Sequence, residues 1–349
     1  MSQSTRGATR FQRACFREPV DAVPAWLMRQ AGRYLPAYQA LKQRVSFWEL
    51  CRSPELAARA TLDAADYLET DAAIIFSDIT LPGWAMGLEL EFAPGPRFAS
   101  PIRAMEDVKG LRHVSPHTDL GFVMDAIRQT RAELDPSVSL IGFVGAPFTL
   151  AGYMVEGTPS RSWRYIKAMA YDQPDVLEAL LHRLAETVAA HAQAQVEAGC
   201  DAVQLFDTSA GELAEAEVHR FAFSYAERAI AALQPLNVPI IYFARHIGPH
   251  LEGAAQLGQH VLGLDWTVSV ASAAQRVGGR VALMGNLDPT VLFTTRAQVD
   301  SRTRAILEQA RNLPGFVLNL GHGVLPETPP ENAKQVIMTA RAWSAENRS

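Results

Sequence analysis

Pro24-Ala-Trp-Leu-Met-Arg-Gln-Ala-Gly-Arg-Tyr-Leu-Pro36 joins a short apolar run to two cations. The run Ala25–Met28 has the character of a buried strand, and Arg29 and Arg33 follow it at once, bracketing Gly32. An extended segment that delivers charge at its C-terminal end is how an α/β barrel presents a site. Gly32 permits a tight turn or a close backbone approach to a ligand. Guanidinium groups stay ionised and grip carboxylate or phosphate through a planar fork. The loop therefore reads as an anion clamp. An isolated arginine pair at this spacing is ordinarily a solvated loop; repetition of the pattern along the chain gives it weight.

Working outward, a helix opens at Ser53-Pro54-Glu55, with a cap residue, proline at the first helical position and an acid in the first turn. It runs to about Glu69 and leads into Ala72–Phe76, a continuous apolar run of the kind buried in parallel sheets. Gly87–Phe98 alternates around a proline–glycine turn and predicts an inserted hairpin. Further buried-type strands are expected at Ser139–Val144, Ala202–Phe206, Pro239–Phe243, Val261–Leu264, Val281–Met284 and Phe316–Leu320, with helical patterns between them. Roughly eight such strands alternating with helices predict an α/β fold, a single (β/α)8 TIM barrel. A doubly wound open sheet is disfavoured because the first strand–helix turn lacks G-x-G-x-x-G. Residues 1–20 are polar and expected to be loosely ordered, and residues 21–349 to form one barrel domain.

The residue that follows each run completes the pattern. In order these are Arg29 and Arg33, Ser77-Asp78, the loop Gly145–Tyr153, Asp207-Thr208-Ser209, Arg245-His246, Asp265-Trp266, Gly285-Asn286-Leu287-Asp288 and Gly321-His322-Gly323. In a barrel they converge on one rim, where loops supply chemistry and strands supply rigidity. Asp207, Asp265 and Asp288 sit beside helix starts, where aspartate is commonly a cap.

Composition narrows the function classes. The formal net charge of -5 gives no general attraction to nucleic acid or anionic membrane, and no apolar run reaches membrane-span length. Cys15, Cys51 and Cys200 are far apart and form no C-x-x-C pair, which points to a reducing, cytoplasmic setting and away from a cysteine-based zinc site. His246 and His250 are separated by Gly248-Pro249 and make an unlikely helical metal pair. Nucleophile elbow, P-loop and strand-end lysine are absent.

Trp26–Pro36 resembles the N-terminal signature of the uroporphyrinogen decarboxylase family, and Gly142–Leu150 with Tyr153–Gly157 resembles its second signature. Phe76-Ser77-Asp78-Ile79, Met284–Pro289 and Asn319–Pro326 fit further blocks in the same order, so the resemblance spans about residues 9–345. It implies a cofactor-free, metal-free homodimeric barrel enzyme that removes CO2 from the four acetate arms of uroporphyrinogen III, giving coproporphyrinogen III for haem. By the same resemblance the loop Arg29-Gln30-Ala31-Gly32-Arg33 lies against substrate, its arginines binding carboxylates, and Asp78 accepts the pyrrole N–H groups. Tyr153, Thr208 and His322 contact substrate. Asp78, Arg29, Arg33, Tyr153 and His322 are the candidates for catalysis. His322, titrating nearest physiological pH, and Tyr153 are the chemically easier proton donors. The rivals are a zinc-dependent methyltransferase of the same superfamily, which needs a His-x-Cys that this chain lacks, and a non-catalytic tetrapyrrole carrier.

Overall fold

The computed structural model describes residues 7–92 and 95–347. Its main sheet has seven parallel strands: β1 (Ala72–Ile74), β4 (Ser139–Gly145), β5 (Ala202–Asp207), β6 (Ile240–Ala244), β7 (Val261–Gly263), β8 (Ala282–Leu287) and β9 (Phe316–Leu320), hydrogen-bonded in that order. β2 (Leu90–Phe92) and β3 (Pro96–Phe98) pair antiparallel as the expected hairpin, with Leu90 opposite Phe98. The sheet curls, TIM-barrel-like, and helices cover its outer side. One of them, Pro54–Leu68, starts as the sequence implies: the Ser53 hydroxyl accepts the Leu56 N–H, and Pro54 occupies the first turn, where its missing N–H costs nothing.

Two apolar layers follow from side-chain alternation along the strands. The inner one draws on every strand of the main sheet, with Ala72, Ile74, Ile141, Ala202, Ile241, Phe243, Val261, Ala282, Met284 and Val317, joined by Trp26 and Met28. The outer one fills the space between sheet and helices.

Residues 25–28 depart from the expected strand. Only Ala25 forms a β-bridge, parallel to Leu318. The segment nevertheless bonds to both neighbours: Trp26 N–H donates to the Leu318 carbonyl at 3.2 Å, and Asp71 N–H donates to the Ala25 carbonyl at 3.0 Å. The ladder stops because side chains capture the next donors. Leu27 N–H goes to Gln30 Oε1 and Met28 N–H to Asn319 Oδ1.

The expected loose order of residues 1–20 does not describe Arg10–Cys15, which is a helix with a Thr9–Gln12 capping box. Phe11, Ala14 and Cys15 are buried against the inner layer, which gives the segment apolar contacts sufficient to order it. Arg10 pins the turn before β1 through Asp71 at 2.6 Å. Residues 1–6 lie outside the described residues.

Candidate active site

Trp266, Asn286 and Asp288, at or beyond the ends of β7 and β8, border a separate cavity. The ends of residues 24–28, β1, β5 and β9 open into one cleft of about 620 Å³. Arg29, Ala31, Gly32, Arg33, Asp78, Tyr153, Thr208 and His322 all line it. Eight of the nine candidate residues, drawn from points hundreds of residues apart, therefore meet.

Gln30 is the exception, and its side chain does not reach the cleft. It is fully buried and closes the turn that presents Arg29. Its N–H donates to the Leu27 carbonyl, its Oε1 accepts from Leu27 N–H, and its Nε2 donates to the Ala72 carbonyl. Arg29 occupies the left-handed region at φ 61°, a conformation that costs a non-glycine residue energy and that this bracing sustains. A Cβ on Gly323 would collide with the Arg29 side chain, so glycine beside His322 is what lets Arg29 lie there. Both Arg29 and Arg33 are exposed, and neither guanidinium has an ion-pair partner among the described residues.

Asp78 is half-buried, after β1. Its Oδ1 accepts from Thr80 N–H at 2.8 Å and from the Thr80 hydroxyl at 2.5 Å. Its Oδ2 has no hydrogen bond among the described residues, and Asp78 lines the cleft. Burial raises its pKa, opposed by the Thr80 bonds and the charge of Arg29.

Tyr153 sits in the helix Pro147–Glu156, edge-on to the buried Trp163 at 5.8 Å. Burial raises its phenol pKa and the nearby Asp78 adds to the shift. His322 is pushed down to about 3, by burial first and then by Arg29 and Arg245. At neutral pH it is an uncharged imidazole, which corrects the expectation that it titrates near physiological pH.

Phe143, Phe206 and Phe243, on β4, β5 and β6, form an aromatic floor of edge-on pairs at 5.7 and 6.1 Å, and Phe243 continues to the His322 ring at 6.2 Å. Sequence reasoning treated these as strand interior, although they stand one or two residues before each polar end. It also missed Lys42, at the C-terminal end of the helix Pro36–Lys42, whose ammonium reaches the cleft over the Phe47 ring at 5.9 Å.

The other strand-end acids are structural. Asp207 is buried, accepts the hydroxyls of Thr149 and Tyr242 at 2.8 and 2.9 Å, and is pushed up to about 6 by burial. Asp265 holds Thr267 and the His246 N–H. Asp288 caps the 3-10 helix Pro289–Phe293.

A curled parallel sheet whose C-terminal edge carries guanidinium groups, an acid with a free oxygen and an aromatic floor makes a TIM-barrel-like α/β enzyme fold with a cleft suited to a ligand anionic at its periphery and apolar in its body. Comparison with solved structures agrees on the fold: a methyltransferase from Methanosarcina mazei matches at a TM-score of 0.80, covering 96% of this chain and 98% of that one at 23% identity. The sequence pattern of the family described as uroporphyrinogen decarboxylase (URO-D) matches residues 6–343. Uroporphyrinogen decarboxylase of Pelobacter propionicus is 47% identical over 96% of this chain and 99% of its own. That of Geobacter sulfurreducens is 45% identical over 94% and 96%. The chain belongs to the uroporphyrinogen decarboxylase family.

Proposed function

We propose that the cleft decarboxylates the four acetate arms of uroporphyrinogen III to give coproporphyrinogen III, a carboxy-lyase reaction of porphyrin and haem biosynthesis. The observation that carries the reading is that Asp78, with an Oδ2 free of hydrogen bonds among the described residues, lines the same cleft as Arg29 and Arg33, which have no ion-pair partner among them.

An acetate arm loses CO2 only when its electrons have somewhere to go. Adding a proton to the pyrrole carbon beside the arm makes the ring cationic and creates that sink. The C–C bond to the carboxylate then breaks and its electron pair forms an exocyclic double bond. A proton added to the new methylene carbon gives the methyl group, and loss of the first proton restores the pyrrole. The net change is one proton gained and one CO2 released per arm. Asp78, accepting the pyrrole N–H groups, stabilises the cation where it develops. No metal or organic cofactor is required, because the substrate carries its own sink.

Arg29 and Arg33 hold the departing and neighbouring carboxylates through forked hydrogen bonds, and Arg29, exposed and electrostatically coupled to Asp78, relays the proton from solvent. Ala31, Gly32 and Thr208 shape the wall. Gln30 acts as a positioning residue through the Arg29 turn. Tyr153 and His322 serve as uncharged hydrogen-bonding groups, in keeping with a raised phenol and a depressed imidazole. Residues 24–28, bonded to both β9 and β1, close the ring as an eighth position, making residues 21–349 one (β/α)8 catalytic domain. The enzyme works in the cytoplasm as a homodimer; among the described residues no helix is long and apolar enough to cross a membrane.

Against a zinc methyltransferase, the described residues include no group of three or more His, Cys, Asp or Glu arranged to hold a metal ion. The test is anaerobic incubation of the protein with uroporphyrinogen III, with and without EDTA, followed by separation of the oxidised products by carboxylate number. Stepwise loss from eight carboxyls to four, indifferent to EDTA, is expected. Binding without loss supports the carrier, and neither binding nor loss in folded protein overturns the assignment.

A further inference from the structure

Arg245 is the strand-end arginine that this chemistry leaves without a role. It follows β6 on the inner face: Ile241 and Phe243 belong to the inner layer, and side chains alternate along a strand, so residue 245 is next on that side. The register sets Phe206 beside Phe243 and Asp207 beside Ala244, so Arg245 follows the last pair at the cleft's border rather than in its lining, near enough for its charge to act on Tyr153 and His322, which do line it. β6 lies four sheet positions from residues 24–28 in either direction, through β1, β4 and β5 or through β9, β8 and β7. It is the position farthest from the Arg29–Arg33 loop.

The guanidinium is only partly satisfied. Its Nη2 lies 3.4 Å from Glu212 Oε1, and that same oxygen lies 3.6 Å from His246 Nδ1. Its Nε is buried and has no hydrogen-bond partner among the described residues. A buried donor without an acceptor costs the fold stability, so something of function normally accounts for one. Glu212 reaches Arg245 because Gly211 lets the 210–212 turn pass close to the strand; a Cβ there would collide with the Arg245 carbonyl. The macrocycle carries carboxylates all around its rim, and a cation on one side of the cleft can hold only one side of it.

We propose that Arg245 is a further carboxylate-binding residue, taking an acid arm on the side of the macrocycle opposite the one held by Arg29 and Arg33, with Glu212 as its partner until substrate arrives. This rests on the decarboxylase reading. The depressed His322 is consistent with it, since Arg245 joins Arg29 among the charges acting on that ring.

The test pairs equilibrium binding of coproporphyrinogen III under anaerobic conditions with steady-state turnover of uroporphyrinogen III. For Arg245→Gln, Kd and KM rise about tenfold while kcat stays within about threefold, and Arg245→Lys recovers most of the loss. Glu212→Gln, which frees Arg245, binds at least as tightly as the parent protein. Unchanged Kd and KM in Arg245→Gln overturn the proposal. So does weaker binding in Glu212→Gln, because that marks the pair as a brace of the rim; this arm decides the matter if Arg245→Gln fails to fold. Parent protein that binds coproporphyrinogen but turns nothing over sinks the decarboxylase reading instead, and the binding arms still judge Arg245.

Discussion

Asp78-Ile79-Thr80 and Asp265-Trp266-Thr267 are one local structure at two points of the rim. In each, the aspartate Oδ1 accepts from the N–H and the hydroxyl of the threonine two residues on, at 2.8 and 2.5 Å in both turns. The second oxygen separates them. Asp265 Oδ2 takes the His246 N–H, and the side chain is buried. Asp78 Oδ2 takes nothing from the described residues, and Asp78 lines the cleft. A third copy, Asp288-Pro289-Thr290, caps a short helix with the same bonds. The turn thus supplies rigidity wherever it occurs. On the proposed reading chemistry arises at Asp78, whose second oxygen is unclaimed among the described residues and whose carboxyl feels the charge of Arg29. Asp288 Oδ2 is likewise unclaimed among them, but Asp288 borders a different cavity.

Substitution by alanine separates the two turns most sharply. Asp78→Ala lowers turnover by about three orders of magnitude, as loss of a transition-state charge partner in a dry site does. It lowers the melting temperature less than Asp265→Ala does, because it orphans the two Thr80 donors but no N–H of a neighbouring strand end, and an acid whose pKa burial has raised contributes little charged-state stability. Asp265→Ala reverses the pattern: it orphans the His246 N–H and the Thr267 donors and lowers stability by about 2–3 kcal/mol in a urea titration.

Arg29→Gln tests what sets Asp78 apart from its twin. It raises KM roughly tenfold or more through the lost carboxylate fork, and it raises the Asp78 pKa further, seen as an upward shift of the basic-form limb in the pH profile of kcat/KM.

The smallest effect concerns His322. Its folded pKa of about 3 lies below the ordinary 6.5, so the unfolded chain binds the extra proton between these values and this group's contribution to stability is lost as pH falls from 6.5. Asp207, raised to about 6, runs the other way: its contribution is present at low pH and is lost as pH rises from 3.8 through 6. Replacing His322 by Asn therefore raises stability relative to the parent progressively below pH 6.5, read from melting temperatures across pH 4–7.

The rim was legible in the sequence because buried parallel strands read as unbroken apolar runs, so the first polar residue after each run marks a strand end. That is how Arg29, Asp78, Thr208 and His322 are found without knowing their distances. What the sequence conceals is tertiary. Nothing local says that Met28 N–H is claimed by Asn319, which shortens the first strand to a bridge, or that Gln30 turns inward to β1. Nor can three identical Asp-x-Thr turns be ranked before their second oxygens are placed. The N-terminal helix did leave a signal, a Thr9-x-x-Gln12 capping box before Phe11, Ala14 and Cys15, which the polar composition of the segment obscures.

The most direct test is the single-turnover rate of Asp78→Asn with uroporphyrinogen III, measured anaerobically on protein of verified melting temperature. Asparagine keeps an acceptor for both Thr80 bonds, and so keeps the turn, while removing the charge and turning the free oxygen into a donor. Coproporphyrinogen III binding within a few-fold of the parent, with first-arm decarboxylation slowed about a thousandfold, is the predicted result. Decarboxylation at a near-parent rate would show that the free carboxylate oxygen does not stabilise the ring cation.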